Sequence, residues 1–213
     1  MASVVSICNL SLSHLGEAAT IVSIDPPSGT RHAETMALFF PVARDKLLER
    51  HNWSFAMKRV VLASVVVPAT YSGSWAYAYS LPSDLVRPVA VLFENAPDDS
   101  DPQDYIIEDR TLYTNIQNAT LRYVRTVTDP VKWSPLFINA LSWELAADAA
   151  GTIQRGINPA TKKALRDAAG VALLEAKNSD SKAVREPKTH VPEHIKARSG
   201  IRSLLGRKVW PNA

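Results

Sequence analysis

Two histidines near the end of the chain have a spacing that can bind a metal ion. In the sequence HVPEH, His190 and His194 lie four residues apart, which brings two imidazoles to one face of a helix. Pro192 stands between them and interrupts such a helix. The sequence contains no cysteine or histidine pair at zinc spacing on a continuous helix, no glycine-rich phosphate loop and no nucleophile elbow. It therefore predicts no metal site and no cofactor.

The acidic residues are concentrated in ENAPDDSDPQD, whose carboxylates could offer oxygen ligands to calcium. They are Glu94, Asp98, Asp99, Asp101 and Asp104. The stretch lacks the central glycine and the closing glutamate of a calcium loop, so a solvated surface loop is predicted instead. Glycoside hydrolysis would need two carboxylates facing across a cleft. The adjacent Glu108 and Asp109 would point to opposite faces of a strand, and the sequence nominates no catalytic residue.

The single cysteine, Cys8, lies among Ile7, Leu10 and Leu12, which predicts a small buried hydrophobe and not a nucleophile. No stretch approaches the roughly 20 apolar residues that span a bilayer. The first residues lack the basic start of a secretory signal, so cytoplasmic synthesis is expected.

The basic residues accumulate at the end of the chain. The whole sequence has a net charge of +3, yet residues 182–213, called the basic arm below, contain eight basic and two acidic residues, a net +6. The remainder is therefore −3. Such arms bind nucleic acid, an acidic protein surface or a membrane face, or they only keep the chain soluble.

Four helices are indicated by apolar periodicity and by terminal residues. The first two cover about residues 3–15 and 30–51, and Pro41 predicts a kink in the second. The third begins after Ser134, a capping residue, with Pro135 at its first position. The fourth begins in the same way, with Asn158 before Pro159.

Residues 58–128 instead show about six short runs rich in β-branched and aromatic residues. The predicted fold class is α+β: a four-helix bundle with an inserted small antiparallel β region and an extended basic C-terminal tail. The predicted bundle is formed by residues 1–57 and 131–181, the β insertion by 58–130 and the arm by 182–213.

The joint between the second helix and the first strand contains no glycine or proline. In LLERHNWSFAMKRVVLA the period changes from helical to strand-like at Trp53 and Phe55. We expect these two aromatic residues to be buried against the helices and to anchor the joint by packing.

Several segments occur together in a characteristic order: ICNLSLSHLGE, SGTRHAETMALFFPVARDKLLERHNWSFAMKRVVLA, WAYAYSLPSDLVRPVAV, YIIEDRTLYTN and LRYVRTVTDPVKWSPLFINALSWELAADAA. In these segments the chain resembles the tail tubular protein A family of short-tailed bacteriophages, the head-to-tail adaptors. The resemblance covers about residues 3–155 and leaves out the basic arm.

The resemblance implies a structural virion protein, made in the host cytoplasm and located in the neck of the tail. It implies a helical bundle with a β part, and a homo-oligomeric twelve-fold ring below the portal protein. Such a ring continues the DNA channel without binding DNA specifically, carries the nozzle protein and often the tail fibres, and has no membrane partner.

A cyclic ring needs two different complementary patches on each subunit. Two sets of residues are candidates: the aromatic face of WAYAYSL and a row of small residues beside a large one in the third helix. They are Trp75, Tyr77 and Tyr79, and Ala140, Trp143 and Ala147. Apolar periodicity is equally compatible with a place for both sets in the core of the monomer.

The basic arm ends in a segment that combines charged and apolar side chains. We expect it to fold on a partner, either the portal ring or a neighbouring subunit, with Trp210 as an anchor. Its candidate contact residues are Arg198, Ile201, Arg202, Leu204, Leu205, Arg207, Lys208 and Trp210. Two alternatives are a tail protein with glycan hydrolase activity on the host envelope and a nonspecific DNA-binding accessory protein.

Overall fold

The helices begin at residues whose side chains cap them. A computed structural model describes residues 2–69, 71, 73–94, 96 and 101–183. Within these residues the helices are α1 (Val4–His14), α2 (Arg31–Glu49), α3 (Pro135–Ile153) and α4 (Pro159–Ala183). The Ser3, Thr30 and Ser134 hydroxyls each accept a hydrogen bond from a backbone N–H of the first turn, and Asn158 does so at α4. The predicted starts of α3 and α4 are confirmed.

The described strands form two antiparallel sheets. Their bounds are β1 (Met57–Val61), β2 (Ala63–Val65), β3 (Tyr77–Ser80), β4 (Leu85–Leu92), β5 (Tyr105–Glu108), β6 (Thr111–Thr114) and β7 (Thr120–Arg125). One sheet has the order β1-β7-β4 and the other β2-β3-β6-β5. Pro88 lies in β4, an edge strand, where its missing N–H removes no ladder bond from a central position.

The three-stranded sheet separates two hydrophobic clusters. Met57 and Val124, paired across β1 and β7, pack against the helices. Val60 and Leu121, also paired, face the four-stranded sheet. Because alternate residues of a strand point to opposite faces, the described residues form layers of helices, three strands and four strands.

The predicted four-helix bundle with a small β insertion is wrong, although the α+β class is confirmed. Among the described residues, α3 is central, and α1, α2 and α4 pack on it. The helical core is completed by the three-stranded sheet, and the β region comprises seven strands in two sheets. Strand residues can be identified from local pattern, but the choice of pairing partners depends on residues distant in sequence.

Candidate functional site

Helix α2 exposes an apolar strip on the side away from the core. Leu38 and Val42 are 69% and 60% exposed, and they lie about 180° around the helix from its buried residues at 100° per residue. Three acidic side chains extend this surface along the helix. We call the set the α2 strip, and its members are Glu34, Leu38, Val42, Asp45 and Glu49. Asp45 also accepts a 2.8 Å hydrogen bond from Arg44.

Helix α4 has a second exposed apolar strip. Its buried face, which includes Leu165, Ala169 and Ala176, packs on α3. On the other side Val171 is 68% exposed and Leu174 is 62% exposed. We call this surface the α4 strip, and its members are Lys163, Asp167, Val171, Leu174 and Lys182. A helix with apolar residues on two opposite sides has one face available for a partner.

Ion pairs fix α2 against α3. Lys46 Nζ lies 2.5 Å from a Glu144 carboxylate oxygen and 3.0 Å from Asp148, and Arg50 lies 3.3 Å from Glu144. Partial burial of Lys46 works against its charged form, but hydrogen bonds to Glu144 and Asp148 hold its pKa above the ordinary value. The α2 strip is therefore presented by a helix that is tied to the central helix.

The joint between α2 and β1 is held by aromatic packing and by one buried carboxylate. Trp53 is fully buried, its ring contacts Phe55 and Phe137, and its indole N–H donates to Leu47 O at 2.8 Å. The chain then makes a 3₁₀ turn over Ser54–Ala56. Phe55 is half-buried and packs on the same core.

Asp180, near the end of α4, accepts hydrogen bonds from the joint between α2 and β1. Its carboxylate accepts hydrogen bonds from the Ser54 hydroxyl at 2.7 Å and from the Ser54 backbone N–H at 3.1 Å. The His51 Nε2 atom lies 3.2 Å from the same carboxylate. Burial lowers the pKa of His51, although the Asp180 charge opposes that effect.

Ser54, His51 and Asp180 do not have the geometry of a nucleophile activated by a base. The Ser54 hydroxyl donates its hydrogen bond to Asp180, so its proton points to the carboxylate and not to His51. A catalytic serine instead donates to the imidazole, which the carboxylate orients. The three residues connect α4 to the joint.

A further polar cluster stabilises the three-stranded sheet. Asp84 accepts a 2.7 Å hydrogen bond from the Tyr123 hydroxyl and a 3.0 Å hydrogen bond from Lys58. Burial opposes ionisation of Asp84, but the hydrogen bonds from Tyr123 and Lys58 hold its pKa below the ordinary value. Burial, together with the Asp84 carboxylate, raises the pKa of Tyr123. The cluster links the starts of β1 and β4 to β7.

The two residue sets that were candidates for a subunit interface lie mostly inside the monomer. Tyr79 is buried between the sheets, and its hydroxyl donates to Ile116 O at 2.7 Å. Tyr77 is half-buried against the same cluster, and Trp75 is half-buried before β3 begins. Ala140 and Ala147 are buried in the helical core.

Trp143, in the same row of α3, is half-buried. Its ring stacks on His14, with ring centroids 3.7 Å apart. Of these candidates, Tyr79, Ala140 and Ala147 are buried in this fold and offer almost no surface to a partner. The two strips were not identified from the sequence, although a second apolar face at helical spacing was visible in α2 and α4.

The remaining described residues that could take part in catalysis or metal binding do not lie together in one site. Burial raises the pKa of the Cys8 thiol to about 12, so the thiolate is not formed at neutral pH. The structure describes only part of the acidic stretch: Glu94 and the exposed Asp101 and Asp104. Asp98 and Asp99 lie outside the described residues. Within the part of the chain that the structure describes, no group of three potential ligands could hold a metal ion.

The described helices include none that is long and apolar enough to cross a membrane. The histidine pair at 190 and 194 and all the candidate contact residues of the basic arm, from Arg198 to Trp210, lie outside the described residues.

A shallow apolar groove lies at the start of α3. It is lined by Ala2, Pro130, Val131, Trp133, Pro135 and Ile138. The only side-chain polar group among these lining residues is the Trp133 indole N–H, which is buried. A specific small-molecule site needs a few polar groups that orient the ligand, so the groove does not support one.

No model of a known protein family matches the chain, and no curated protein matches it.

Proposed function

We propose that this chain is the subunit of a head-to-tail adaptor ring in a short-tailed bacteriophage. In this proposal the ring lies between the portal protein and the tail nozzle, and its lumen continues the channel through which DNA leaves the head. The protein acts as a structural component and not as an enzyme. The ordered segments between residues 3 and 155 that resemble the tail tubular protein A family support this role.

The structural observation that carries the proposal is the presence of two different exposed apolar strips. Subunits of a ring contact each neighbour through unlike surfaces, so each chain must present two patches that differ from each other. The α2 strip and the α4 strip differ in charge and lie on separate helices. Exposed apolar side chains that lie next to each other on a surface can mark a site where a partner binds.

The basic arm supplies the contact with the portal in this proposal. It begins at Lys182, in the last turn of α4, which the structure describes as far as Ala183. Its net charge of +6 suits an acidic protein surface, and its apolar residues near Trp210 suit an anchor pocket.

Co-sedimentation with the portal ring of the same phage tests the role. The full chain and a chain that stops after Ala183 are each mixed with portal rings, and the bound fraction and stoichiometry are measured by native mass spectrometry. The shorter chain keeps Asp180 and its bonds to Ser54, so its body is expected to stay folded. We expect the full chain to bind at one copy per portal subunit and the shorter chain to bind weakly.

Failure of the full chain to bind would refute the adaptor role. Turnover of envelope glycans or binding to DNA with a steep salt dependence would then identify one of the two alternative functions.

A further inference from the structure

The apolar centres of the two strips are similar in size. Leu38 and Val42 are four residues apart, and Val171 and Leu174 are three residues apart. At 1.5 Å per residue these pairs span about 6 Å and about 4.5 Å along their helices. Gly170 lies beside the α4 pair, and a Cβ atom built there meets nothing within 4 Å. A second helix can therefore approach α4 closely at this point.

The charges around the two strips are of opposite sign. The α2 strip contains three acidic residues, and the exposed Arg31, which lies on the same side of α2 one turn before Glu34, reduces the net charge of that side to −2. The α4 strip contains Lys163 and Lys182 against Asp167, a net +1. Contact between two α2 strips would bring acidic residues together, and contact between two α4 helices would bring lysines together. Contact between an α2 strip and an α4 strip is therefore favoured over both like pairings.

The outermost charges also match in position. Glu34 and Glu49 are about 22 Å apart along α2, and Lys163 and Lys182 are about 28 Å apart along α4, at 1.5 Å per residue. Lysine side chains are long and flexible enough to cover a difference of about 3 Å at each end. Each acidic end of one strip can thus meet a basic end of the other, whichever way the two helices run.

We propose that neighbouring copies of this chain associate by packing the α2 strip of one copy on the α4 strip of the next. This inference rests on the proposed function, since it names the contact that would close the adaptor ring. The contact is heterologous: each copy uses its α2 strip on one side and its α4 strip on the other. Such a contact continues from copy to copy, whereas a contact between like strips would end at a dimer.

Cysteine cross-linking tests this contact directly. One chain carries Leu38→Cys and another carries Val171→Cys, and both are assembled on portal rings before mild oxidation. Cys8 is fully buried and does not compete. A disulfide forms only when two Cα atoms come within about 7 Å, so it reports the specific pairing. Val66→Cys is the matched control, because Val66 is 91% exposed and lies outside both strips.

We expect a mixture of the two single variants to give cross-linked dimers. Their yield should exceed that of the Val66 control by roughly tenfold, because an assembled contact holds the thiols at a high effective concentration. A chain that carries both substitutions should give a ladder of larger products. Dimers formed by either single variant alone would overturn the inference, because they require contact between like strips.

The outcomes separate this inference from the adaptor role. If the chain binds the portal ring but residues 38 and 171 do not cross-link, the inference is refuted and the adaptor role stands. If the chain forms the ladder in solution but does not bind the portal, the contact stands and the adaptor role is refuted.

A second pair of variants gives an independent measurement. Leu38→Asp and Val171→Asp each place a charge in the centre of one exposed strip, so their thermal unfolding should match that of the unchanged chain. Each should weaken self-association by at least roughly tenfold, as truncation of a central interface residue does. When the two are mixed, one intact contact remains for each pair of chains. Dimers in the mixture support the inference, and full rings would overturn it.

Discussion

Replacing Asp180 with alanine removes the acceptor that ties α4 to the joint between α2 and β1. The Asp180 residue is 7% exposed, and its carboxylate accepts two hydrogen bonds from Ser54, at 2.7 Å and 3.1 Å. Hydrogen bonds to charged groups contribute about 1.5–3 kcal/mol each. Water can partly replace the lost acceptor because Ser54 is exposed, and alanine recovers roughly 0.5 kcal/mol of helix propensity. The expected loss in the free energy of unfolding is therefore about 2–3 kcal/mol.

Urea denaturation followed by circular dichroism measures this loss. For a chain of this length, about 2–4 °C of midpoint temperature corresponds to 1 kcal/mol, so thermal unfolding should shift downward by roughly 5–10 °C. Ser179→Ala is the matched control, because Ser179 is exposed on the same helix. If Asp180→Ala is no less stable than this control, the carboxylate does not hold the joint.

A double-mutant cycle with Ser54→Ala separates the hydrogen bond from other effects of the substitution. The two changes share the 2.7 Å bond, so the double variant should lose about 1 kcal/mol less than the sum of the single losses. Additive losses would refute the assignment of the stabilisation to this bond.

Two further predictions concern the other polar clusters. Tyr123→Phe removes the 2.7 Å hydrogen bond to Asp84 and should lower the free energy of unfolding by about 1 kcal/mol in urea titrations. An unchanged unfolding midpoint would show that this bond contributes nothing. Burial lowers the folded-state pKa of His14 and His51 below 6.5, so below about pH 6.5 the unfolded chain binds more protons than the folded chain. Stability should therefore fall as the pH drops from 7 towards 5, and His14→Gln should reduce that slope; stability that rises on acidification would contradict the assignment.

Local features were predictable because they depend on residues close in sequence. Ser134 caps α3 through the N–H of Phe137, three residues away, and Asn158 caps α4 through Ala160. The turn between β5 and β6 is equally local: EDRTLYTN predicts a tight connection before a short strand, and two residues join β5 to β6. Asp109 and Arg110 both adopt positive φ angles there, without the glycine that usually identifies such a turn.

The joint between α2 and β1 has one feature that local sequence pattern predicts and one that it does not. The change of period at Trp53 correctly locates the end of the helix, since α2 ends at Glu49 and β1 starts at Met57. The role of Asp180 has no local signal, because the residue lies 126 positions from its partner Ser54. An aspartate in the last turn of a helix is unfavourable on its own, since the helix dipole places negative charge there. The contact with Ser54 offsets that cost only in the folded chain.

The sequence alone determined the four described helices and most of the strand segments, because these depend on neighbours a few residues apart. It could not decide whether an apolar residue lies in the core or on the surface. Tyr79 and Leu38 both lie on apolar faces in the sequence, yet Tyr79 is buried between two sheets and Leu38 is exposed. Only the tertiary structure decides this, because burial depends on which elements pack together. The packing of α3 against three helices and of one sheet against another left the α2 strip and the α4 strip exposed.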